Sequence, residues 1–358
     1  MPVTPKTALV VDALAGMGGA EKVLMAALEL FPDAPVYTLL YNPAPFANSP
    51  LAARRVISSF IERLPFARAQ YRKYLPLMPQ AMRGFDLGGY ETVLSFSYAV
   101  AHGVRVDDGQ THLSYTYTPM RYAWNNLGLD GKPRRPSPLL DWAFRQFRAW
   151  DVAAAERVHN FAAVSGWIAK EVRRVYRREA RVIHPPVEVE RFSPEAERGG
   201  CFVTIARLVP HKRVDLLVEA FNCLGLPLLI VGDGPERRSL ERRAAPNVRF
   251  LGFQPDPVIV QLLNRARGYV CPGEEDFGIA MVEAQAAGCP VIAYGAGGAC
   301  EIVAENRTGL FFDRLEPESL AAAVERFEAG RFSSLECAAN ARRFNKQRFL
   351  EEMEDFVS

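Results

Sequence analysis

CPGEEDFGIAMVEAQAAGCPVIAYGAGGACEIV, residues 271–303, is the stretch whose reading decides the fold. An apolar run ends at Cys271-Pro272-Gly273, and an acidic loop, Glu274-Glu275-Asp276, leads through Phe277-Gly278 into a helical pattern that starts near Ile279. PVIAY then reads as a buried strand, and the glycine cluster Gly295-Ala296-Gly297-Gly298 follows directly. Strand, loop, helix, strand is the unit from which parallel sheets are built. At the helix start the N–H groups of Gly278, Ile279 and Ala280 have no partner within the helix, so they offer a phosphate a ready site assisted by the helix dipole. Glu283, one turn inside, can reach a ribose, and Glu275, ahead of the helix, can accept the hydroxyls of a neighbouring sugar. An acidic turn also stabilises any helix through its dipole, which accounts for Glu274 or Asp276 taken singly. The second glycine cluster after the next strand favours the phosphate reading for the whole stretch.

The same rhythm runs outward in both directions. TALVVD (7–12), the glycine-rich turn ALAGMGGAEK (13–22) and EKVLMAALELF read as strand, loop and helix. VYTLL (36–40), ETVLSFS (91–97), HLSYTYT (112–118) and AAVS (162–165) are further strands, with helical patterns at 138–158 and 166–178. The second half restarts with CFVTIARL (201–208) and alternates strand and helix to ESLAAAVERFE. Between the two series lies IHPPVEVERFSPEAERGG (183–200), rich in Pro, Glu and Gly as a linker would be. The expectation is an α/β protein of two doubly wound, Rossmann-like domains with parallel sheets, ligands binding in a cleft at the carboxyl ends of the strands. Its boundaries are 1–183, a linker at 184–199, 200–336, and a last helical segment at 337–358.

A chain of 358 residues is long for one core, which agrees with two domains. With 49% hydrophobic and 23% charged residues it reads as soluble and globular. No apolar run is long enough to cross a membrane, and MPVTPKTALVVDALAG has no signal-peptide pattern. Six cysteines without C-x-x-C spacing suit reduced thiols in the cytoplasm rather than disulfides or zinc. The net charge of +2 conceals an asymmetry: residues 1–183 carry 23 Lys+Arg against 15 Asp+Glu, the remainder 20 against 26. The first half therefore favours an anionic partner. The domain pattern matches none of the usual nucleic-acid modules, so no nucleic-acid partner is expected.

The 271–303 block resembles the E-x(7)-E signature of glycosyltransferase family four, the retaining enzymes of the two-domain GT-B fold, with Glu275 and Glu283 at the two glutamate positions. Ala206-Arg207-Leu208-Val209-Pro210-His211-Lys212-Arg213 resembles the family's nucleotide-side turn, which makes Arg207 and Lys212 the implied diphosphate-binding pair. VGDGPE (231–236) matches the next strand end, LGF (251–253) the turn beside the base, which implicates Phe253, and GMGGAEKV (16–23) the first-domain glycine loop with Gly18 and Gly19. The resemblance implies a nucleotide-sugar donor held by these residues together with Phe277, Gly278, Ile279 and Glu283. It also implies a last helix that crosses back onto the first domain. In this family the glutamate positions the donor sugar, and the β-phosphate is thought to take the acceptor's proton. Two cations and a helix terminus can stabilise a departing diphosphate without a metal. No metal and no resident cofactor are expected, since Asp107-Asp108 lies in a polar turn rather than at a strand end. Nor is Glu275 a glycosidase nucleophile, because nothing supplies the second carboxylate that retaining hydrolases hold about 5 Å away.

LSYTYTPMRYAW (113–124) keeps the T-P-M-R-Y-A-W of a GDP-mannose-using branch of the family, but Tyr117 stands where that branch has histidine. A tyrosine titrates near about pH 10 rather than about 6.5, so Tyr117 is expected to donate to a sugar hydroxyl rather than act as a base. Arg121 and Tyr122 are the expected acceptor contacts. ISSFIERLPFARAQYRKYLPLMPQAMR (57–83) interleaves cations with aromatics. It suits peripheral contact with an anionic membrane surface, and equally a solvated face with snorkelling arginines. The leading expectation is a metal-independent mannosyltransferase at the inner face of the cytoplasmic membrane. It would take GDP-mannose to a saccharide or polyprenyl-diphosphate-linked acceptor in bacterial surface polysaccharide or lipopolysaccharide assembly. The alternatives are a UDP-sugar transferase, an epimerase or phosphorylase on the same architecture, and a non-catalytic nucleotide-sugar sensor or scaffold. A dinucleotide-binding dehydrogenase is disfavoured because GMGGAE lacks the third glycine of that fingerprint.

Overall fold

The structure, a computed structural model, describes residues 6–125 and 137–358. The chain divides into two compact units, Met1–Pro186 with Phe349–Ser358, and Val187–Arg348.

The first unit is built on a parallel sheet of seven strands: β1 Thr7–Val11, β2 Val36–Thr38, β3 Val56–Ser58, β4 Thr92–Ser97, β5 Thr111–Thr116, β6 Asn160–Ala163 and β7 Ala180–Val182. They lie in the order β3-β2-β1-β4-β5-β6-β7. All five residues of TALVV and all six of TVLSFS are buried, which is why these two runs occupy the centre. A strand covered on both faces carries apolar side chains without alternation. The register sets Val11 beside Thr38 and Phe96, and Phe96 beside Tyr115, so the carboxyl ends of β2, β1, β4 and β5 come out level. β3 and β7, two three-residue strands absent from the sequence reading, are the sheet's edges and too short to show a period.

The second unit carries a parallel sheet of six strands: β8 Phe202–Ile205, β9 Leu228–Val231, β10 Val248–Gly252, β11 Gly268–Cys271, β12 Val291–Tyr294 and β13 Gly309–Phe312, ordered β10-β9-β8-β11-β12-β13. The strand order reverses between β8 and β11, the kind of point at which open parallel sheets bind ligands. Its core gathers Phe202, Phe221, Leu217, Ile230, Val270, Ile292 and Phe327, with Phe202 edge-on to Phe221 and Phe327.

Two segments sit otherwise than their composition suggested. Residues 187–199, read as linker, belong to the second unit. Val187 bridges Asn345, Ser193 N–H donates to Asn264 at 3.0 Å, and the Arg198 guanidinium donates to the carbonyls of Leu263 (3.2 Å) and Ala266 (3.1 Å). Residues 337–348 likewise stay with the second unit, and only Phe349–Ser358 joins the first. There Phe349 is buried edge-on against Tyr115, and Arg181 pairs with Asp355 at 2.5 Å. The basic-aromatic segment is a series of short turns rather than one helix: Phe60–Arg63, Ala67–Gln70, Tyr71–Leu77 and Met78–Arg83. Pro65, Pro76 and Pro79 interrupt any longer run. No helix among the described residues is long and apolar enough to cross a membrane.

Candidate active site

At the carboxyl edge of the second sheet the turns pack too closely for side chains. A Cβ on Gly273 would stand 2.9 Å from the His211 carbonyl oxygen and 3.0 Å from that of Lys212. The loop after β11 is therefore seated directly on the 3-10 turn Pro210–Lys212 that follows β8. Glu275 forms a parallel bridge with Gly297, and its carbonyl accepts from Gly298 N–H at 2.8 Å. Gly297 has φ +66° and a Cβ there would run into that carbonyl. Gly278 caps the helix Ile279–Ala286 with φ +108°, a conformation open to glycine and strained for other residues. These contacts explain the glycine clusters at 273–278 and 295–298, and they hold Glu275 in one place from two sides.

That placement brings together two residues picked from separate motifs. The Lys212 ammonium donates to Glu275 Oε2 at 2.5 Å, and each side chain is 21% exposed. Arg213 is committed next door to Asp215 at 3.2 Å. Arg207 follows β8 and is exposed, while Leu208 N–H donates to the Asp233 carbonyl at 3.0 Å and joins this turn to the one after β9. Phe253, just past β10, is 77% exposed. Glu283 lies on the buried side of its helix at 8% exposure. Phe277 is buried edge-on against Phe344 with ring centres 5.4 Å apart, so its ring serves packing while its neighbour Gly278 opens the helix terminus. Burial pushes the Cys271 thiol up, out of the range of thiolate chemistry. Among the described residues no cluster of His, Cys, Asp and Glu is arranged to hold a metal ion.

The first unit carries the remaining candidates. Gly18 is the N-cap and Gly19 the first residue of the helix Gly19–Leu30. Tyr117 lies one residue past β5, and its hydroxyl donates to the Ala20 carbonyl at 2.8 Å. The tip expected to reach a sugar is thus bonded to the glycine loop's helix, and burial drives its pKa further up. Its ring stands edge-on to Tyr115 at 5.5 Å. Arg121 and Tyr122 open the four-residue helix Arg121–Trp124. The last turn of that helix is fixed from inside, because Trp124 Nε1 donates to Asp151 Oδ2 at 2.7 Å and Tyr176 donates to the same oxygen at 3.0 Å. The other Asp151 oxygen is 3.1 Å from His102 Nε2, and Ser97 Oγ is 3.0 Å from His102 Nδ1.

Several residues of this region escaped the sequence reading. Asp12, at the end of β1, is buried, and its carboxylate accepts the N–H groups of Tyr98, Ala99, Val100 and Ala101 at 2.6–2.9 Å. Burial raises the Glu21 carboxyl to about 7, against the lowering effect of the Glu21 and Gly18 backbone N–H groups. Asp12, Glu21, Tyr98 and Tyr117 line one small pocket at the carboxyl ends of β1, β4 and β5. The legible signal was Glu21 itself, three residues after Gly18 in the spacing of a capping box. Nothing local marks His102 or Asp151, which meet only through the fold.

The reversal of strand order, the glycine-cradled helix terminus and the Lys212–Glu275 pair thus stand together at the carboxyl edge of one doubly wound domain. Residues 187–344, nearly the whole of the second unit, match the model of the family described as glycosyl transferases group 1. A D-inositol 3-phosphate glycosyltransferase of Jonesia denitrificans is 28% identical over 193 residues, 44% of this chain and 46% of that protein. A GDP-mannose-dependent alpha-(1-6)-phosphatidylinositol monomannoside mannosyltransferase of Mycobacterium tuberculosis is 34% identical over 170 residues, 39% of this chain and 44% of that protein. The matches span less than half the length of these curated relatives. In fold, the chain is similar to Anabaena HepE, solved in complex with UDP, with a TM-score of 0.69 at 18% identity over 98% of both chains. The fold is GT-B, with two parallel α/β sheets of seven and six strands.

Proposed function

We propose that this chain is a retaining glycosyltransferase that moves a hexosyl group from a nucleotide sugar to a saccharide or lipid-linked saccharide, with GDP-mannose as donor. The observation that carries the reading is the Lys212–Glu275 pair seated beside the Gly278 helix terminus within the family-matched unit. Arg207, Lys212 and the free N–H groups at Gly278 and Ile279 take the charge that develops on the departing diphosphate. Glu275 receives the hydroxyls of the hexose. The bond from the anomeric carbon to the diphosphate oxygen breaks, the acceptor oxygen bonds that carbon on the same face, and the acceptor's proton passes to the diphosphate. Two cations and a helix terminus supply the charge that a divalent ion would otherwise bring, so transfer proceeds without added metal.

The donor choice is supported by the T-P-M-R-Y-A-W stretch and by the mannosyltransferase relative named for GDP-mannose. A UDP-sugar is the second reading, favoured by the UDP complex of the structurally similar HepE. A panel of nucleotide sugars, read by nucleoside diphosphate release, separates them. Release from GDP-mannose alone supports the first, and release from UDP-sugars alone replaces it. The lipid-linked acceptor is supported by the first unit's surface: Phe66 is 79% exposed, Phe60 43% and Leu77 38%, among exposed Arg63, Arg68, Lys73 and Arg83. Exposed aromatics ringed by cations suit an anionic bilayer surface.

A further inference from the structure

The Lys212–Glu275 pair has a consequence for how the site treats its substrate and its product, one that rests on the nucleotide-sugar reading above. The pair is held by the backbone. The turn carrying Lys212 and the loop carrying Glu275 are in contact at Gly273, where a Cβ would meet carbonyl oxygens at 2.9 and 3.0 Å. Glu275 is pinned again by its bridge to Gly297 and the Gly298 N–H bond of 2.8 Å. A diphosphate competes for the Lys212 ammonium as a stronger, doubly charged acceptor. The lysine stem is flexible and can turn to it, whereas the Glu275 backbone cannot follow. The neighbouring cation is no substitute, because Arg213 is occupied by Asp215 at 3.2 Å. Nor is neutralisation by proton sharing offered by Cys271 or Tyr269, whose burial and proximity to Glu275 push both groups up and keep them protonated.

A carboxylate that is only 21% exposed then needs new donors. An intact nucleotide sugar brings them as hexose hydroxyls. A spent nucleoside diphosphate takes Lys212 and returns nothing to Glu275. We infer that the Lys212–Glu275 ion pair discriminates donor from product: it resists nucleoside diphosphates by leaving Glu275 unpartnered in their complex, and so favours product release. Glu275 is on this account a specificity-determining residue for the occupant's state, besides any contact it makes with the sugar.

The test is titration calorimetry on the full chain with GDP, UDP, GDP-mannose and UDP-glucose, for the wild type, Glu275→Gln, Lys212→Ala and the double variant, with thermal unfolding as a check on folding. Glu275→Gln is expected to bind the preferred nucleoside diphosphate about three- to tenfold tighter, the scale of releasing one partly buried ion pair, and the nucleotide sugar no tighter. In the Lys212→Ala background the same change is expected to give no tightening. Equal or weaker diphosphate binding by a folded Glu275→Gln protein overturns the inference. So does tightening that persists without Lys212, because that would be plain repulsion between the carboxylate and the phosphates. A wild type that binds no nucleotide at all defeats the transfer reading itself, an outcome distinct from either.

Discussion

Gly278 shows how one residue's conformational freedom sets a helix terminus. Its φ of +108° turns the chain from the acidic loop into the helix, and a Cβ there would collide with the Met281 terminal carbon. Gly278→Ala is therefore expected to lose about 1–3 kcal/mol of stability, read by denaturant unfolding, and to weaken nucleotide binding as the helix terminus shifts. Tyr117 leads to a different expectation from the one its sequence context raised. With its hydroxyl bonded to the Ala20 carbonyl at 2.8 Å, Tyr117→Phe removes one hydrogen bond and costs about 0.5–1.5 kcal/mol in a thermal or denaturant melt, and transfer rates stay within a few-fold. A loss of transfer with unchanged stability would return the hydroxyl to the substrate. The sequence was legible at this scale where a residue type has a single use, as with glycines ahead of a helix and a cation at a strand end. Partners were not legible. Lys212 and Glu275 are 63 positions apart, and only the seating of one turn on another makes them a pair.

Among elements, the turn after β4 and the helices Pro138–Ala155 and Gly166–Tyr176 share one buried polar assembly. Asp12 folds the 98–101 turn by taking four N–H groups, that turn delivers His102, and His102 meets the carboxylate that also holds Trp124 and Tyr176. Asp151→Ala leaves Trp124 and Tyr176 without their common acceptor and His102 without the carboxylate beside it, and is expected to destabilise by about 3–5 kcal/mol, with a clear fall in Tm. If Arg121 and Tyr122 contact the acceptor, the surviving folded fraction should show a raised acceptor KM, because Trp124 closes their helix. Glu21 adds a pH dependence. Its carboxyl is raised from 4.5 to about 7 by burial, so between those values the folded chain holds more protons than the unfolded one. Its contribution to stability is complete below about pH 4.5 and is lost as pH rises through about 7. Glu21→Gln should flatten that part of the stability profile, measured by unfolding between pH 4.5 and 8. Long apolar runs such as TVLSFS announced the central strands, but VIS and ARV did not announce β3 and β7, since three residues carry no period and their pairing comes from the neighbouring strand.

Across the whole molecule, two parallel sheets were readable because strand–helix alternation repeats along the chain, while the boundaries were less so. Composition marks 187–199 as linker, yet Arg198 ties that segment to the second unit through backbone carbonyls that no sequence pattern displays. The excess of Lys and Arg in residues 1–183 is concentrated in part around Phe66, which sits at φ +55° with its ring in solvent. Phe66→Asp is expected to weaken sedimentation with anionic vesicles several-fold and to leave binding to neutral vesicles and nucleotide affinity unchanged. Equal binding of the variant to anionic vesicles would reduce the segment to an ordinary solvated face. The central claim is that Lys212 and Glu275, at the carboxyl edge of the second sheet, serve transfer from a nucleotide sugar. Its most direct test is nucleoside diphosphate release from GDP-mannose and UDP-sugars by the wild type and by folded Lys212→Ala protein. Release from one donor that falls by about 100-fold or more in the variant is predicted. No turnover of any nucleotide sugar, or full activity without Lys212, would contradict it.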